Sequence, residues 1–258
     1  MIKNKFLKPV KQIIEKTFGI EIRRTGNAQV LTRRAHIPHT RVFPIATYSP
    51  WEADEDFEKV YKVAKDYTLV DKYRMYELFQ LATQAAKVDG VFLEVGVWRG
   101  GSSALIQAAI DSTSVDKQFY IADTFQGVVK AGSEKDTSYH GGEHADTDVE
   151  FVKNLFGKIN KKLPEILIGI FPDDHNSLGI EKLAFVHSDV DAYQSTKEII
   201  EWCLPRMSQG GIIVFDDYGF RGCEGVTEYV NELMKIDSVS QSYHFIHNLN
   251  GHAILIRN

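Results

Sequence analysis

Only two cysteines, Cys203 and Cys223, occur in 258 residues. They show no metal-ligand spacing, so the reading is a reduced, cytoplasmic protein. No apolar run approaches the roughly 18 residues needed to span a bilayer, and no signal-peptide pattern opens the chain. Internal repeats and low-complexity segments are absent. The G-x-G-x-x-G dinucleotide fingerprint is missing too, which disfavours a nicotinamide cofactor. What is present suits a soluble globular protein, with 43% hydrophobic and 25% charged residues. The length allows one large domain, or one domain with an extension.

Charge is unevenly spread. Residues 1–44 carry ten basic and two acidic side chains, a balance of +8, whereas the rest carries 20 basic and 33 acidic, a balance of −13. A basic arm is thus attached to an acidic body. Within the arm Val10, Ile13, Ile14 and Phe18 fall at helical spacing between Pro9 and Gly19. This helix would dock on the body or on a partner subunit; the sharper alternative is attraction to an anionic membrane or substrate. We therefore expect a basic N-terminal extension with helices over 1–66 and the main domain over 67–258.

From about residue 88 strands alternate with helices. Strands are predicted at 91–95, 119–122, 166–170, 183–186 and 212–215, and helices at 102–110, 149–159, 195–204 and 224–234. The alternation predicts a mostly parallel, doubly wound α/β sheet. "YHFIHNLNGHAILIRN" then reads as two strands joined at Asn250-Gly251, an antiparallel hairpin. In such sheets ligands lie beyond the carboxyl ends of the strands, where the order reverses.

The strand ends are therefore where chemistry is sought. The first closes in "FLEVGVWRGGSS", 92–103: Gly96 permits close backbone approach, and Gly100-Gly101 open a helix whose free N–H groups face a ligand. Glu94 could accept from a cationic or hydroxylated ligand, or be merely solvated. The second ends in "YIADTFQG", with Asp123 22 residues after Gly101, near the spacing at which an acid takes ribose hydroxyls. The fourth ends in "HSDVDAYQS", with Asp189 and Asp191, and the fifth in "GGIIVFDDYGF", with Asp216 and Asp217. Four acids at one sheet edge suit a hard divalent cation that takes oxygen ligands. The bland alternative is that Asp191 caps a helix and Asp216-Asp217 form a turn.

Together, "FLEVGVWRGGSS", "YIADTFQG", "HSDVDAYQST" and "GGIIVFDDYGFRGCEGV" resemble the macrocin O-methyltransferase family over about Tyr67–Met234, roughly two thirds of the chain. The resemblance implies a Rossmann-like class I methyltransferase fold, with S-adenosyl-L-methionine and Mg²⁺ as cofactors and a sugar or secondary-metabolite hydroxyl as acceptor. It implies that Thr68, in "YTLVDKYRMYEL", approaches the cofactor, that Glu94 and Gly96 hold its methionine end with help from Ser103, and that Asp123 takes the ribose. Asp189, Asp216 and Asp217 would ligate the metal and Asp191 would be the base; His187 and His144 rank behind it. A homo-oligomer is expected and no nucleic acid. Ser188 departs from the apolar residue usual before the first metal-ligand Asp. The polar segment 130–150 has no clear family counterpart; it reads as a lid over the acceptor or a plain solvated loop. Two other classes stay open: a glycosyltransferase using "DVD" with a cation, which leaves Asp216-Asp217 and the Gly-rich turn unexplained, and a non-catalytic adenosyl-ligand binder, which has no need of a base.

Overall fold

The computed structural model describes residues 46–258 except Ser133, together with the isolated positions Ile14, Lys16, Thr17 and Ile37. Apart from those positions, the helix expected from Pro9 to Gly19 and the rest of the basic arm lie outside the described residues. Among the described residues, no helix is long and apolar enough to cross a membrane.

Five parallel strands, β1 (Val91–Val95), β2 (Phe119–Asp123), β3 (Glu165–Ile168), β4 (Leu183–Ser188) and β5 (Met207–Phe215), join an antiparallel pair, β6 (Tyr243–His247) and β7 (Ala253–Arg257). Their order is β3-β2-β1-β4-β5-β7-β6, with β7 antiparallel to both of its neighbours. The chain runs outward from β1 to β3 in one direction and restarts at β4 in the other. The carboxyl ends of β1 and β4 thus flank the point of reversal, where such folds leave a crevice.

Both faces of the sheet are covered, which explains why β1 and β4 read as nearly unbroken apolar runs. Successive side chains alternate between faces. Phe92, Phe185, Val214 and Ile254 pack in one cluster with helices α1 (Glu55–Ala64), α2 (Lys72–Ala85), α3 (Gly101–Asp111) and α4 (Val149–Ile159). Leu93, Val186, Ile213 and Leu255 pack in the other with α5 (Tyr193–Cys203), α6 (Glu224–Leu233) and α7 (Asp237–Ser240). Helix α1, which precedes residue 67, already contributes Phe57, Val60 and Ala64 to the first cluster. Asp54, Asp71 and Asp148 begin α1, α2 and α4 by accepting from Phe57 N, Tyr73 N and Phe151 N.

Three expectations shift. Strand β3 stops at Ile168 because Gly169 turns with φ +133°, where a Cβ would sit 2.7 Å from Asp174 Oδ2. Strand β5 starts at Met207, hidden in the sequence by the polar run Ser208–Gly211, with Met207 pairing Leu183. The hairpin is not a two-residue Asn-Gly turn: the strands end at His247 and Ala253, and Asn248 Oδ1 accepts from Asn250 N and His252 N. Gly251 (φ +103°) lies so close to the Phe220 ring that any Cβ would overlap it.

Candidate active site

A cavity of about 330 Å³ opens at the carboxyl ends of β1, β2, β4 and β5. Thr68, Gly96, Asp123, Asp189, Asp191, Asp216 and Asp217 all line it. At Gly96 (φ +90°) a Cβ would overlap the carbonyl oxygen of Asp189, so β1 and β4 can come together only with glycine there. Gly101 plays the same part against Thr68, whose Cβ would stand 2.7 Å away. The Asp123 carboxylate accepts from Val97 N (2.6 Å), Trp98 N (2.9 Å) and Phe125 N (2.7 Å), which fixes the turn after β1 against the end of β2.

Glu94 and Ser103 sit elsewhere. Neither lines the cavity; both are fully buried, Ser103 Oγ donates to Glu94 Oε2, and Glu94 Oε1 lies 2.8 Å from His187 Nδ1. On β1 the period of two turns Glu94 onto the helix-covered face that also holds Phe92. On α3 it is Ser102, not Ser103, that faces the cavity. His187 is likewise fully buried and does not line the cavity. His144 does line the cavity.

The four acids converge. Donor atoms of Asp189, Asp216 and Asp217 lie within 4.8 Å of one another. Asp191 (φ +59°) and Asp217 (φ +62°) both hold the left-handed backbone conformation, uncommon outside glycine and most tolerated by Asn and Asp. Burial, then the charges of their acidic neighbours, hold the Asp189 and Asp217 carboxyls well above the usual range. Asp216 goes the other way. Burial pushes it up, but a hydrogen bond from His252 and the charge of Arg74 more than offset this and leave it lowered.

Those two basic groups carry no signal in the sequence. Arg74, on α2, places Nη1 2.7 Å from both carboxylate oxygens of Asp216 and 3.4 Å from Asp217 Oδ1, while its Nε donates to Asp71 at 2.8 Å. Its guanidinium stacks 4.5 Å from the centre of the Phe220 ring. His252, between β6 and β7, holds Nε2 2.9 Å from Asp216 Oδ1 and Nδ1 2.6 Å from Glu77 Oε2. Burial would lower its pKa, yet the bonds to Asp216 and Glu77 raise it.

Asp191 does not cap α5. The N-cap is Ala192, with no side-chain cap of its own, and the first helical amide, Tyr193 N, donates instead to Asp136 Oδ1 at 2.9 Å. The carboxylate of Asp191 is thereby left facing the cavity. The polar segment 130–150 is largely exposed, and it and the residue before it are pinned to the body at several points. Trp98 Nε1 and Arg99 Nη2 donate to the Asp146 carboxylate at 3.0 and 2.6 Å, and Ser195 Oγ donates to Val129 O at 2.7 Å. Thr137 donates to Glu224 at the start of α6.

A doubly wound sheet of this strand order, with a glycine-bounded cavity at its reversal point, is a Rossmann-like ligand-binding arrangement. The fold is that of the solved O-methyltransferase NovP, at a TM-score of 0.63 and 24% identity over 74% of this chain and 82% of that one. The family model described as Macrocin-O-methyltransferase (TylF) matches residues 4–245, and the chain belongs to that family. Mycinamicin III 3''-O-methyltransferase of Micromonospora griseorubida is 30% identical over 207 residues, 72% of this chain and 79% of its own. A tetracenomycin 4'-O-methyltransferase of Streptomyces olivaceus, which by its name acts on a rhamnosyl group, is 29% identical over 188 residues, covering 68% and 72%.

Proposed function

We propose that this enzyme methylates a hydroxyl of a sugar or of a glycosylated metabolite, with Mg²⁺ held by Asp189, Asp216 and Asp217 and with Asp191 as general base. The observation that carries this reading is the charge at the strand ends. Four carboxylates meet there, and among the described residues the Arg74 guanidinium and the His252 imidazole are the basic groups that touch them. Like charges buried together need a counter-ion or a proton. A set of carboxylate oxygens within 4.8 Å suits a hard divalent cation that keeps several of its waters. The sugar acceptor is inferred from relatives at about 30% identity, both O-methyltransferases by name, one of them acting on a rhamnosyl-bearing tetracenomycin.

Each residue then has a task. Gly96 and the turn after β1 give the cofactor backbone access, and Asp123, beside them, faces its ribose. When bound, Mg²⁺ supplies a Lewis acid that lowers the pKa of the acceptor hydroxyl. Asp191 stands two residues beyond the proposed metal ligand Asp189 and takes the hydroxyl proton. The transferred group is a methyl on a sulfonium, already electrophilic, so much of the acceleration comes from holding the acceptor oxygen in line with the S–CH₃ bond.

The test is turnover of S-adenosylmethionine against a panel of nucleotide sugars and glycosylated metabolites, over a range of Mg²⁺ concentrations, for Asp189→Asn and Asp191→Asn. Asp189→Asn should weaken the response to Mg²⁺ and be partly rescued at high Mg²⁺. Asp191→Asn should lose roughly 10²- to 10⁴-fold in kcat without rescue. Wild-type turnover that survives complete chelation, or full activity in Asp191→Asn, would refute the assignment.

A further inference from the structure

The sheet face covered by α1 to α4 turns polar at one end. Phe92, Phe185, Val214 and Ile254 belong to its apolar cluster. Glu94, His187, Asp216 and His252 each stand two residues from one of these, and the period of two keeps them on the same face. Glu94 pairs with His187 across β1 and β4, and Val214 with Ile254 across β5 and β7, so the four form one row. None is more than 3% exposed. Such a row within a core needs an offset for its charge and partners for its polar atoms.

The two imidazoles are held alike. His187 Nδ1 lies 2.8 Å from Glu94 Oε1, and His252 Nδ1 lies 2.6 Å from Glu77 Oε2. A carboxylate accepts, so each ring carries its N–H on Nδ1 and leaves Nε2 as the free position. His252 Nε2 stands 2.9 Å from Asp216 Oδ1. His187 gives Nδ1 to β1, which turns Nε2 away from that strand, and this buried nitrogen has no hydrogen-bond partner. Donor atoms of His187, Asp216 and His252 all lie within 4.8 Å of one another. A proton on His252 would satisfy Asp216 but would leave His187 Nε2 unmatched.

We propose that His187, Asp216 and His252 form a second cation site, within the core beside the acid cluster, for Zn²⁺ or a similar borderline dication. Two imidazoles and one carboxylate suit such an ion, whereas Mg²⁺ prefers oxygen alone. Each histidine donates its other ring N–H to a carboxylate, as metal-bound histidines do. Glu94 and Glu77 are thus the outer supports of the site, and Ser103 in turn donates to Glu94. Three protein ligands leave a tetrahedral ion one position for water. Ligand atoms around Zn²⁺ stand about 3.3 Å apart, so the three donors need close by only about 1–1.5 Å. Asp216 also lines the cavity, which gives the ion its way in. Asp216 is shared with the proposed Mg²⁺ set, but the two histidines are not, so the site stands whether or not Mg²⁺ binds above it.

The test loads the untagged full chain with Zn²⁺ and dialyses it against excess Mg²⁺. One zinc per chain should remain, and X-ray absorption at the zinc edge should show two imidazoles and oxygen at about 2.0–2.1 Å. Asp189→Asn changes only the acid cluster and should keep the zinc. His187→Gln keeps a donor for Glu94 but removes the free ring nitrogen, so Zn²⁺ affinity should fall at least about 10- to 100-fold, the loss typical even of outer-shell partners. Zn²⁺ should raise the Tm of wild type and of Asp189→Asn more than that of His187→Gln. If His187→Gln does not fold, the absorption spectrum of the wild type decides. Zinc displaced by Mg²⁺, a shell without imidazole, or unchanged affinity in His187→Gln would each overturn the site. So would loss of zinc in Asp189→Asn, which places the ion among the acids, or a sulfur at about 2.3 Å, which places it at Asp191, Asp217 and Cys223. Any of these leaves the Mg²⁺ assignment to its own turnover test.

Discussion

Replacing Arg74 by methionine should separate the two cations that the acid cluster can use. Arg74 is 5% exposed and bonds both oxygens of Asp216, which is itself 3% exposed, with Asp217 3.4 Å away. Breaking a buried ion pair by removing one partner costs about 3–5 kcal/mol, because the remaining charge is left uncompensated. The bond to the half-exposed Asp71 adds little to this. For a domain of this size each kcal/mol moves Tm by about 2–4 °C, so Arg74→Met in EDTA should melt about 6–20 °C below wild type. Added Mg²⁺ changes the outcome. A +1 charge roughly 5 Å from a +2 ion opposes it by at least ~1.5 kcal/mol even at the dielectric constant of water. Mg²⁺ should therefore bind Arg74→Met about tenfold more tightly or better, and saturating Mg²⁺ should recover most of the lost Tm. Thermal melts with and without MgCl₂, together with calorimetric titration of Mg²⁺, give both quantities. A Tm loss that Mg²⁺ leaves unchanged, with unaltered Mg²⁺ affinity, would refute the idea that guanidinium and metal neutralise the same carboxylates.

Three further outcomes are expected. Gly96→Ala forces a Cβ onto the Asp189 carbonyl at φ +90°; it should abolish cofactor binding and destabilise by about 3 kcal/mol or more, seen in chemical denaturation. Asp123→Ala should weaken S-adenosylhomocysteine binding by about 1–3 kcal/mol in calorimetry; unchanged affinity in a folded variant would take Asp123 out of the site. Asp189 and Asp217 have raised pKa values, so above the ordinary carboxylate pKa the metal-free fold binds more protons than the unfolded chain and loses stability as pH rises. Mg²⁺ replaces those protons, and the Tm gain on adding it should grow with pH; a pH-independent gain would contradict this.

The parts of the fold set by local pattern were legible in the sequence. β1 and α4 fall on the predicted residues, 91–95 and 149–159, because an apolar run bounded by glycine and an amphipathic stretch opened by Asp148 each carry their own limits. The acids were legible for a related reason: in a parallel sheet the residues just past each strand share one edge. Arg74 and His252 were not. Arg74 reaches Asp216 across 142 positions of sequence, and His252 meets it because β7 lies beside β5. The side to which Glu94 points was not legible, because a strand buried on both faces has no alternation to say which residue points to the ligand. The capping of α5 was equally hidden, since its acceptor, Asp136, lies 57 positions away in a segment read as a lid or a solvated loop.

The β5-β7-β6 order has a bearing on how the protein is made. β7 enters the sheet between β5 and β6, although β6 precedes it in the chain. While the ribosome has delivered residues only as far as β6, the edge of β5 is unpaired and Asp216 lacks His252. During synthesis the acid cluster then relies on Arg74 alone, and an open strand edge invites pairing with other chains. If Mg²⁺ binds the cluster as proposed, it would supply a counter-charge at that stage, before any methyl is transferred.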